Sequence, residues 1–323
     1  MTREKLFRVL DFDTRNWLFT LTCGKVKFDE PMYLHTSFRV GGPAEAFVTP
    51  GTVAELKMVL SGLFERKIPY RLVGGGTNLI VTDKGIPGVV ICLKHCLKDI
   101  AIEHSNDRSI LSAMSGVSLR FMCGYAIHSG LKGLNFAMGI PGTVGGAVRM
   151  NAGTALGWIS DVLESLTLMY PSGIQKTVIR KEIRASYRSL ILPGACQENT
   201  MFQEPIIVSA RFSLSSASSS DLRREAREIL SHRKRSQPTK LFNAGCIFKN
   251  PAVGKSAGEL IDLAGLKGLR IGGAEISTQH ANFIVNTGQA TAADILELIE
   301  RIRQVVYERF QVDLHPEVII DGE

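Results

Sequence analysis

Two glycine clusters set the tightest limits on how this chain can fold. "VGGGTNLIV" (residues 73–81) follows an apolar run that reads as a strand, and "GIPGTVGGAV" (139–148) ends a second glycine-rich stretch. Successive glycines let backbone N–H groups turn inward around an anion with little side-chain obstruction. Pro141 would stiffen the second loop. Neither cluster runs into Gly-Lys-Ser/Thr, so neither is a P-loop. Neither matches G-x-G-x-x-G opening a long helix after a first strand, so a Rossmann fold is not supported. Taken alone, each loop reads more readily as a tight turn than as a phosphate cradle. Two in one domain favour a bound dinucleotide, without saying which.

The 323 residues suffice for about two domains. A hydrophobic share of 45% with 21% charged residues describes a soluble globular protein with a sizeable core. No apolar run approaches the roughly 18 residues of a membrane span. The opening stretch "MTREKLFRVLDFDTRNWLFTLTCG" has the outline of a signal peptide, but Asp11, Asp13 and Arg15 interrupt any apolar core. Cys23 in "LTCG" is a poor lipoprotein site for the same reason, and the expected location is the cytoplasm. The six cysteines, at 23, 92, 96, 123, 196 and 246, lack paired spacing and read as free thiols. His95 and Cys96 are adjacent, yet no second ligand pair follows at zinc spacing, so no metal is expected. The net charge of +7 suits solubility or anionic ligands and does not choose between them.

Along the chain, Val53, Leu56, Val59, Leu60 and Leu63 give residues 52–66 the spacing of an amphipathic helix. Residues 69–93 read as strand, glycine turn, strand, turn, strand. From 109 to 150 short apolar runs alternate with glycine clusters, an α+β texture rather than regular βαβ alternation, and "IIVSARFSL" (206–214) reads as a strand. A serine-rich stretch then leads into a helix with Leu222, Ala226, Ile229 and Leu230 on one face, Ser220 as N-cap, and a strongly basic far end stopping by Pro238. Ser256 with Glu259 forms a capping box, with a glycine stop at Gly265. Ile295, Ile299, Ile302, Val306 and Phe310 align on a last helix, roughly 292–310, before a terminal strand, "VDLHPEVII". The chain therefore divides near residue 213 into a larger glycine-rich part, 1–212, and a smaller mixed part, 213–323.

These pieces, in this order, resemble the UDP-N-acetylenolpyruvoylglucosamine reductase family. The resemblance is carried by "HTSFRVGGPAE" (35–45), "VGGGTNLIV", "GIPGTVGGAV" with "MNAG" (150–153), "SYR" (186–188), "NAG" and "IFKNP" around Cys246, "AGELIDLAGLKG" (257–268), "HANFIVN" (280–286) and the leucine and "PEV" of "LHPEV" (314–318). It runs from about residue 30 to the C-terminus; each block is weak alone and the set in register is specific. It implies an α+β chain: a two-lobed FAD-binding fold of the vanillyl-alcohol-oxidase (PCMH) type, with lobes of about 1–70 and 71–212, plus a smaller α+β substrate domain. The strand near 312–320 would return to the active site. The short 213–237 link resembles the compact second branch of the family. FAD would lie along Arg39, the 74–78 loop (Gly74, Gly75, Gly76, Thr77, Asn78), the 139–146 loop (Gly139, Ile140, Pro141, Gly142, Thr143, Gly145, Gly146) and Ile207. "TALGW" replaces the family's aromatic tail after "NAG".

The implied reaction is reduction of UDP-N-acetylglucosamine enolpyruvate to UDP-N-acetylmuramate in bacterial peptidoglycan precursor synthesis, with FAD and NADPH as cofactors. It needs charge stabilisation at the substrate carboxylate and an acid for the α-carbon. On residue type alone Arg188 reads as a surface ion-pair arginine; the resemblance places it near that carboxylate, although "SLILPGA" after it departs from the family's usual continuation. Glu317 alone reads as an exposed strand-edge carboxylate; the resemblance makes it catalytic, most useful if protonated or if it orients Arg188 or a water. Cys246, by residue type, is filler, metal ligand, disulfide half, nucleophile or proton donor. It stands where the family carries a proton-donating serine, and a thiol of pKa about 8.5 stays mostly protonated at neutral pH. The donor role is the one expected here. The resemblance further implies Arg233 and Lys234 at the substrate phosphates, with Asn250 and Asn282 as polar contacts.

Two other functions fit less of the chain. Another FAD oxidase or dehydrogenase of the same fold would share the loops, and a basic nucleic-acid-binding protein would use Arg223 to Arg235, but no RNA- or DNA-binding signature appears. The expected partner is a nucleotide-sugar, with no nucleic acid, no membrane and a monomeric chain.

Overall fold

A computed structural model describes residues 8–104, 108–193 and 204–322. Cys196 and the end of the altered stretch after Arg188 lie outside these residues. The chain forms two compact units that alternate along the sequence. The first comprises Met1–Phe28, Ala46–Gly75 and Gly88–Ser231; the second comprises Asp29–Glu45, Gly76–Pro87 and His232–Glu323. The position expected to divide the chain, near residue 213, falls inside the strand Ile206–Ser216.

In the first unit, five antiparallel strands lie in the order Gln175–Ile179, Leu163–Met169, Ile206–Ser216, Ser109–Met114, Ile100–His104, and Leu131–Lys132 pairs with the end of the longest. The alternation in Ile206–Ser216 explains its place. Val208, Ala210, Phe212 and Leu214 are buried, whereas Arg211 points away and pairs with Glu103 at 2.9 Å and Glu164 at 3.3 Å. The core beneath takes Leu119, Met122, Cys123, Ala126 and Ile127 from the helix Leu119–His128. The helix Val53–Glu65 forms as its spacing predicts: Thr52 caps it, accepting from the Glu55 N–H at 3.1 Å, and Leu56, Val59, Leu60 and Leu63 are buried. Next to it the strand Tyr70–Val73 runs parallel to Ile86–Cys92, in register Tyr70 with Val89 to Val73 with Cys92.

The second unit is built around the helix Ala292–Phe310, whose Ile295, Leu298, Ile299, Ile302 and Val306 are buried. Two devices fix its start. Thr291 and Asp294 form a capping box, and the Asp83 carboxylate accepts from the Ala292 and Ala293 N–H groups, both at 2.9 Å. Against it lie the three-stranded antiparallel sheet Arg270–Ile271, Ala274–Ile276, Ile284–Asn286 and the helix Ala257–Leu263, which starts at the expected Ser256–Glu259 box. Phe38, Ile80, Phe248 and Leu314 complete this core. The terminal strand is shorter than the apolar pattern suggests. Only Ile319–Asp321 pairs, parallel to Leu79–Val81, because Pro316 has no N–H to donate and makes a single bridge with Phe248. No helix among the described residues is long and apolar enough to cross a membrane.

Candidate active site

In the first unit, the strand Tyr70–Val73 delivers Gly74 against the second glycine loop. A Cβ on Gly74 would lie 2.5 Å from Thr143 Oγ1, so only glycine permits this approach. Thr143 caps the short helix Val144–Arg149, its Oγ1 accepting from the Gly146 N–H. The segment 115–119 backs the loop: Leu119 N–H donates to Gly142 O at 3.0 Å, Val144 N–H to Val117 O and Gly145 N–H to Ser115 O, both at 2.9 Å. Ser115 is buried, and its Oγ has no hydrogen-bond partner among the described residues. A buried hydroxyl left so costs about 1–3 kcal/mol. Side-chain-free backbone beside an orphaned hydroxyl is what a large polar cofactor such as FAD would fit. Ile140 and Gly142 are half-buried beside it and Pro141 is exposed, whereas Ile207 is buried in the sheet opposite Leu168. Nothing in "AMSGVS" distinguishes Ser115 in sequence; its tertiary partner does.

Arg188 is held at the tip of the hairpin Arg184–Ser186 and Ser189–Ile191, with φ +55°. Its Nη1 donates to Gly153 O at 2.8 Å, and its guanidinium lies over the Trp158 and Tyr187 rings, each 5.3 Å from the centroid. Those two rings meet edge to face at 5.6 Å. Asn151 steadies the hairpin, its Nδ2 donating to Ser186 O at 3.0 Å. The divergent "TALGW" thus supplies one wall of the arginine's seat through Trp158.

In the second unit, Gly76 has φ +60°, and a Cβ there would sit 1.9 Å from His35 O. Ser37 N–H donates to Gly76 O at 2.9 Å. Arg39 is exposed with φ +59°, its guanidinium 5.6 Å from the Phe242 centroid. Thr77 and Asn78 follow, both half-buried. Asn78 Nδ2 donates to Glu317 O at 3.1 Å and Asn78 O accepts from the Ile319 N–H at 3.0 Å.

Cys246 is half-buried, just after Gly245, whose φ of +82° turns the chain. Asn243 braces the turn by accepting from the Gly245 N–H at 3.0 Å through Oδ1. Beyond the thiol, three segments are joined. Ile247 N–H donates to Asn282 O at 2.9 Å, Glu317 N–H donates to Ile247 O at 2.7 Å, and Lys249 N–H donates to His315 O at 2.9 Å. Glu317 is half-buried. Asn282, 3% exposed, accepts from the Phe248 N–H at 2.9 Å and donates to Phe248 O at 2.8 Å. Asn250 is exposed and its Oδ1 accepts from the Ala257 N–H at 3.1 Å. Arg233 and Lys234 occupy the last turn of the helix Ser219–Ser236, which Gln279 fastens by donating to the carbonyls of Lys234 and Arg235 at 3.2 and 2.8 Å. His280 is half-buried, its Nδ1 accepting from the Asn282 N–H at 3.2 Å; burial, then the Lys267 charge, hold its imidazole below the usual range.

Three comparisons bear on this arrangement. Residues 44–178 match the FAD binding domain, and residues 237–320 match the UDP-N-acetylenolpyruvoylglucosamine reductase C-terminal domain. The UDP-N-acetylenolpyruvoylglucosamine reductase of Desulfosudis oleivorans is 42% identical over 317 residues, 97% of this chain and 100% of that one. The chain belongs to the UDP-N-acetylenolpyruvoylglucosamine reductase family. Family members from Clostridium botulinum reach 43% identity over 92% of this chain and 93% of theirs. The solved structure of the reductase from Thermus caldophilus superposes with a TM-score of 0.74 at 36% identity, covering 90% of this chain and 97% of that one. The fold class is thus the family's: an FAD-binding domain with the family's C-terminal domain, mixed in helix and sheet.

Proposed function

We propose that this chain is a UDP-N-acetylmuramate dehydrogenase: with NADPH and FAD it reduces UDP-N-acetylglucosamine enolpyruvate to UDP-N-acetylmuramate, for peptidoglycan precursor synthesis in a bacterial cytoplasm. The observation that carries this reading is the hydrogen bond joining the Glu317 amide to Ile247, next to Cys246, in a chain that aligns over 97% of its length with the UDP-N-acetylenolpyruvoylglucosamine reductase of Desulfosudis oleivorans.

When bound, FAD reduced by NADPH supplies the hydride for the enolpyruvyl β-carbon. The protein's residues then serve the other end of the double bond. Cys246 holds the proton that the α-carbon takes, a role open to a half-buried thiol. Arg188, its rotamer limited by two aromatic faces and the Gly153 carbonyl, stabilises charge on the carboxylate. Glu317 contributes as a hydrogen-bonding acid or by orienting a neighbour. The glycines at 74, 75, 139, 142, 145 and 146 let the cofactor approach backbone, with Arg39 and Thr77 beside it in sequence terms and Ser115 added to them. Arg233 and Lys234 supply cations for the diphosphate, and Asn250 a polar contact. Asn282, expected among the substrate contacts, is read instead as the clamp on Phe248, since both ends of its buried amide are engaged there.

Anaerobic stopped-flow of the two half-reactions tests this. The purified protein should be yellow, NADPH should bleach the flavin, and UDP-N-acetylglucosamine enolpyruvate should restore its colour where simple hydroxy acids do not. Reoxidation by hydroxy acids alone would point to a different FAD enzyme, and a colourless protein that shifts RNA would overturn the reading altogether.

A further inference from the structure

Asn78 lies in the loop expected at the cofactor, yet its side-chain amide is directed at the other end of the chain. Nδ2 donates to the carbonyl of Glu317 at 3.1 Å, while the main-chain carbonyl of Asn78 accepts from the Ile319 N–H at 3.0 Å. From there the strands Leu79–Val81 and Ile319–Asp321 pair in parallel, Leu79 opposite Ile319. The Glu317 residue is therefore held at both of its backbone groups. Its N–H is fixed on Ile247, the neighbour of Cys246, and its C=O is fixed by Asn78. A residue whose main-chain N–H and C=O are both tied sends its Cα–Cβ bond in a set direction, which a catalytic carboxyl requires.

We propose that Asn78 is a positioning residue for Glu317, acting through that backbone carbonyl rather than chiefly as a cofactor contact. This rests on the catalytic reading of Glu317 given above. Replacing Asn78 by Asp keeps size and one oxygen but removes the donor and sets a carboxylate against the Glu317 carbonyl.

The test combines Asn78→Asp, Glu317→Gln and the double variant, all as holoenzymes. Asn78→Asp should slow the enolpyruvate half-reaction about tenfold, the worth of one positioned hydrogen bond, and leave flavin reduction by NADPH unchanged. The FAD dissociation constant, from flavin fluorescence, should stay within about twofold of the parent, and the double variant should be no slower than Glu317→Gln alone. A tenfold loss of FAD affinity, or effects that multiply in the double variant, would overturn the proposal. Should Glu317→Gln run at the parental rate, the catalytic reading of Glu317 fails by itself. Hydrogen exchange then decides the rest: the amides of Glu317 and Ile319 must exchange faster in Asn78→Asp at an unchanged melting temperature, and unchanged exchange refutes the positioning role. Asn78→Ala, which adds no charge, carries the same measurements if the aspartate variant does not fold.

Discussion

The Glu317 N–H donates to the carbonyl of Ile247 at 2.7 Å, which places the residue after Cys246 in register with a segment that follows it by seventy positions in sequence. If Cys246 is the proton donor, Cys246→Ser should retain turnover. Cys246→Ala should slow the enolpyruvate half-reaction while sparing flavin reduction by NADPH, as read by anaerobic stopped-flow. The parent should also show an alkaline limb in the enolpyruvate half-reaction that moves upward in the serine variant, because a serine hydroxyl is a far weaker acid than a thiol. Burial pushes Cys96 up to about 11 and Cys123 up to about 12, so both give up their protons only in strongly alkaline solution. Equal slowing of both half-reactions in Cys246→Ala removes the thiol from this role.

Asn282 is a stability prediction. Asn282→Ala leaves the Phe248 N–H and C=O, on a residue only 1% exposed, without their side-chain partners. The expected loss is about 2–4 kcal/mol, read from the denaturant midpoint at constant slope. Asn250→Ala, which removes an acceptor from the Ala257 N–H at an exposed position, should cost about 1 kcal/mol or less. A smaller loss for Asn282→Ala than for Asn250→Ala contradicts the clamp.

Much of this was legible in the sequence where local chemistry settles the matter. The Leu56–Val59–Leu60–Leu63 spacing, Ser256 with Glu259, and the Ile295–Ile299–Ile302–Val306 spacing each mark a helix that forms where they indicate. The last strand was overread, since an apolar run does not show that Pro316 interrupts pairing. Asn282 looks in sequence like any polar residue of a motif, and only the fold reveals that Phe248 occupies both its ends. The roles of Ser115 and Trp158 are not legible in sequence, because their partners, Gly145 and Arg188, lie thirty residues away and carry no signal linking them. The compact units alternate through three chain segments each, an arrangement no single change in composition marks.

Arg188→Lys keeps the charge and loses the plane that lies over Trp158 and Tyr187. The enolpyruvate half-reaction should slow by about tenfold or more, with flavin reduction unchanged. An equal rate in the lysine variant would show that only charge matters at this position.

His280 gives a pH prediction. Burial first and Lys267 second hold its pKa below the ordinary 6.5, so below that pH the unfolded chain binds the extra proton and the folded one resists it. Stability should be level above 6.5 and fall as the pH drops from there toward the folded pKa. Asp294, held below 3.8 mainly by the Thr291 N–H, weakens the fold only at more acid pH. Urea midpoints for the parent and His280→Gln between pH 5 and 7.5, roughly, separate the two: the glutamine variant should lose most of the slope. Parallel curves would assign the slope elsewhere.

The aromatic seat of Arg188 has an optical consequence. The chain has two tryptophans, and Trp17 stands apart from the seat, under Arg66 and against Gly62. In a Trp17→Phe protein the remaining indole emission comes from Trp158 alone, so its intensity and colour report whether the guanidinium stays seated on that ring or lifts away when an anionic ligand arrives.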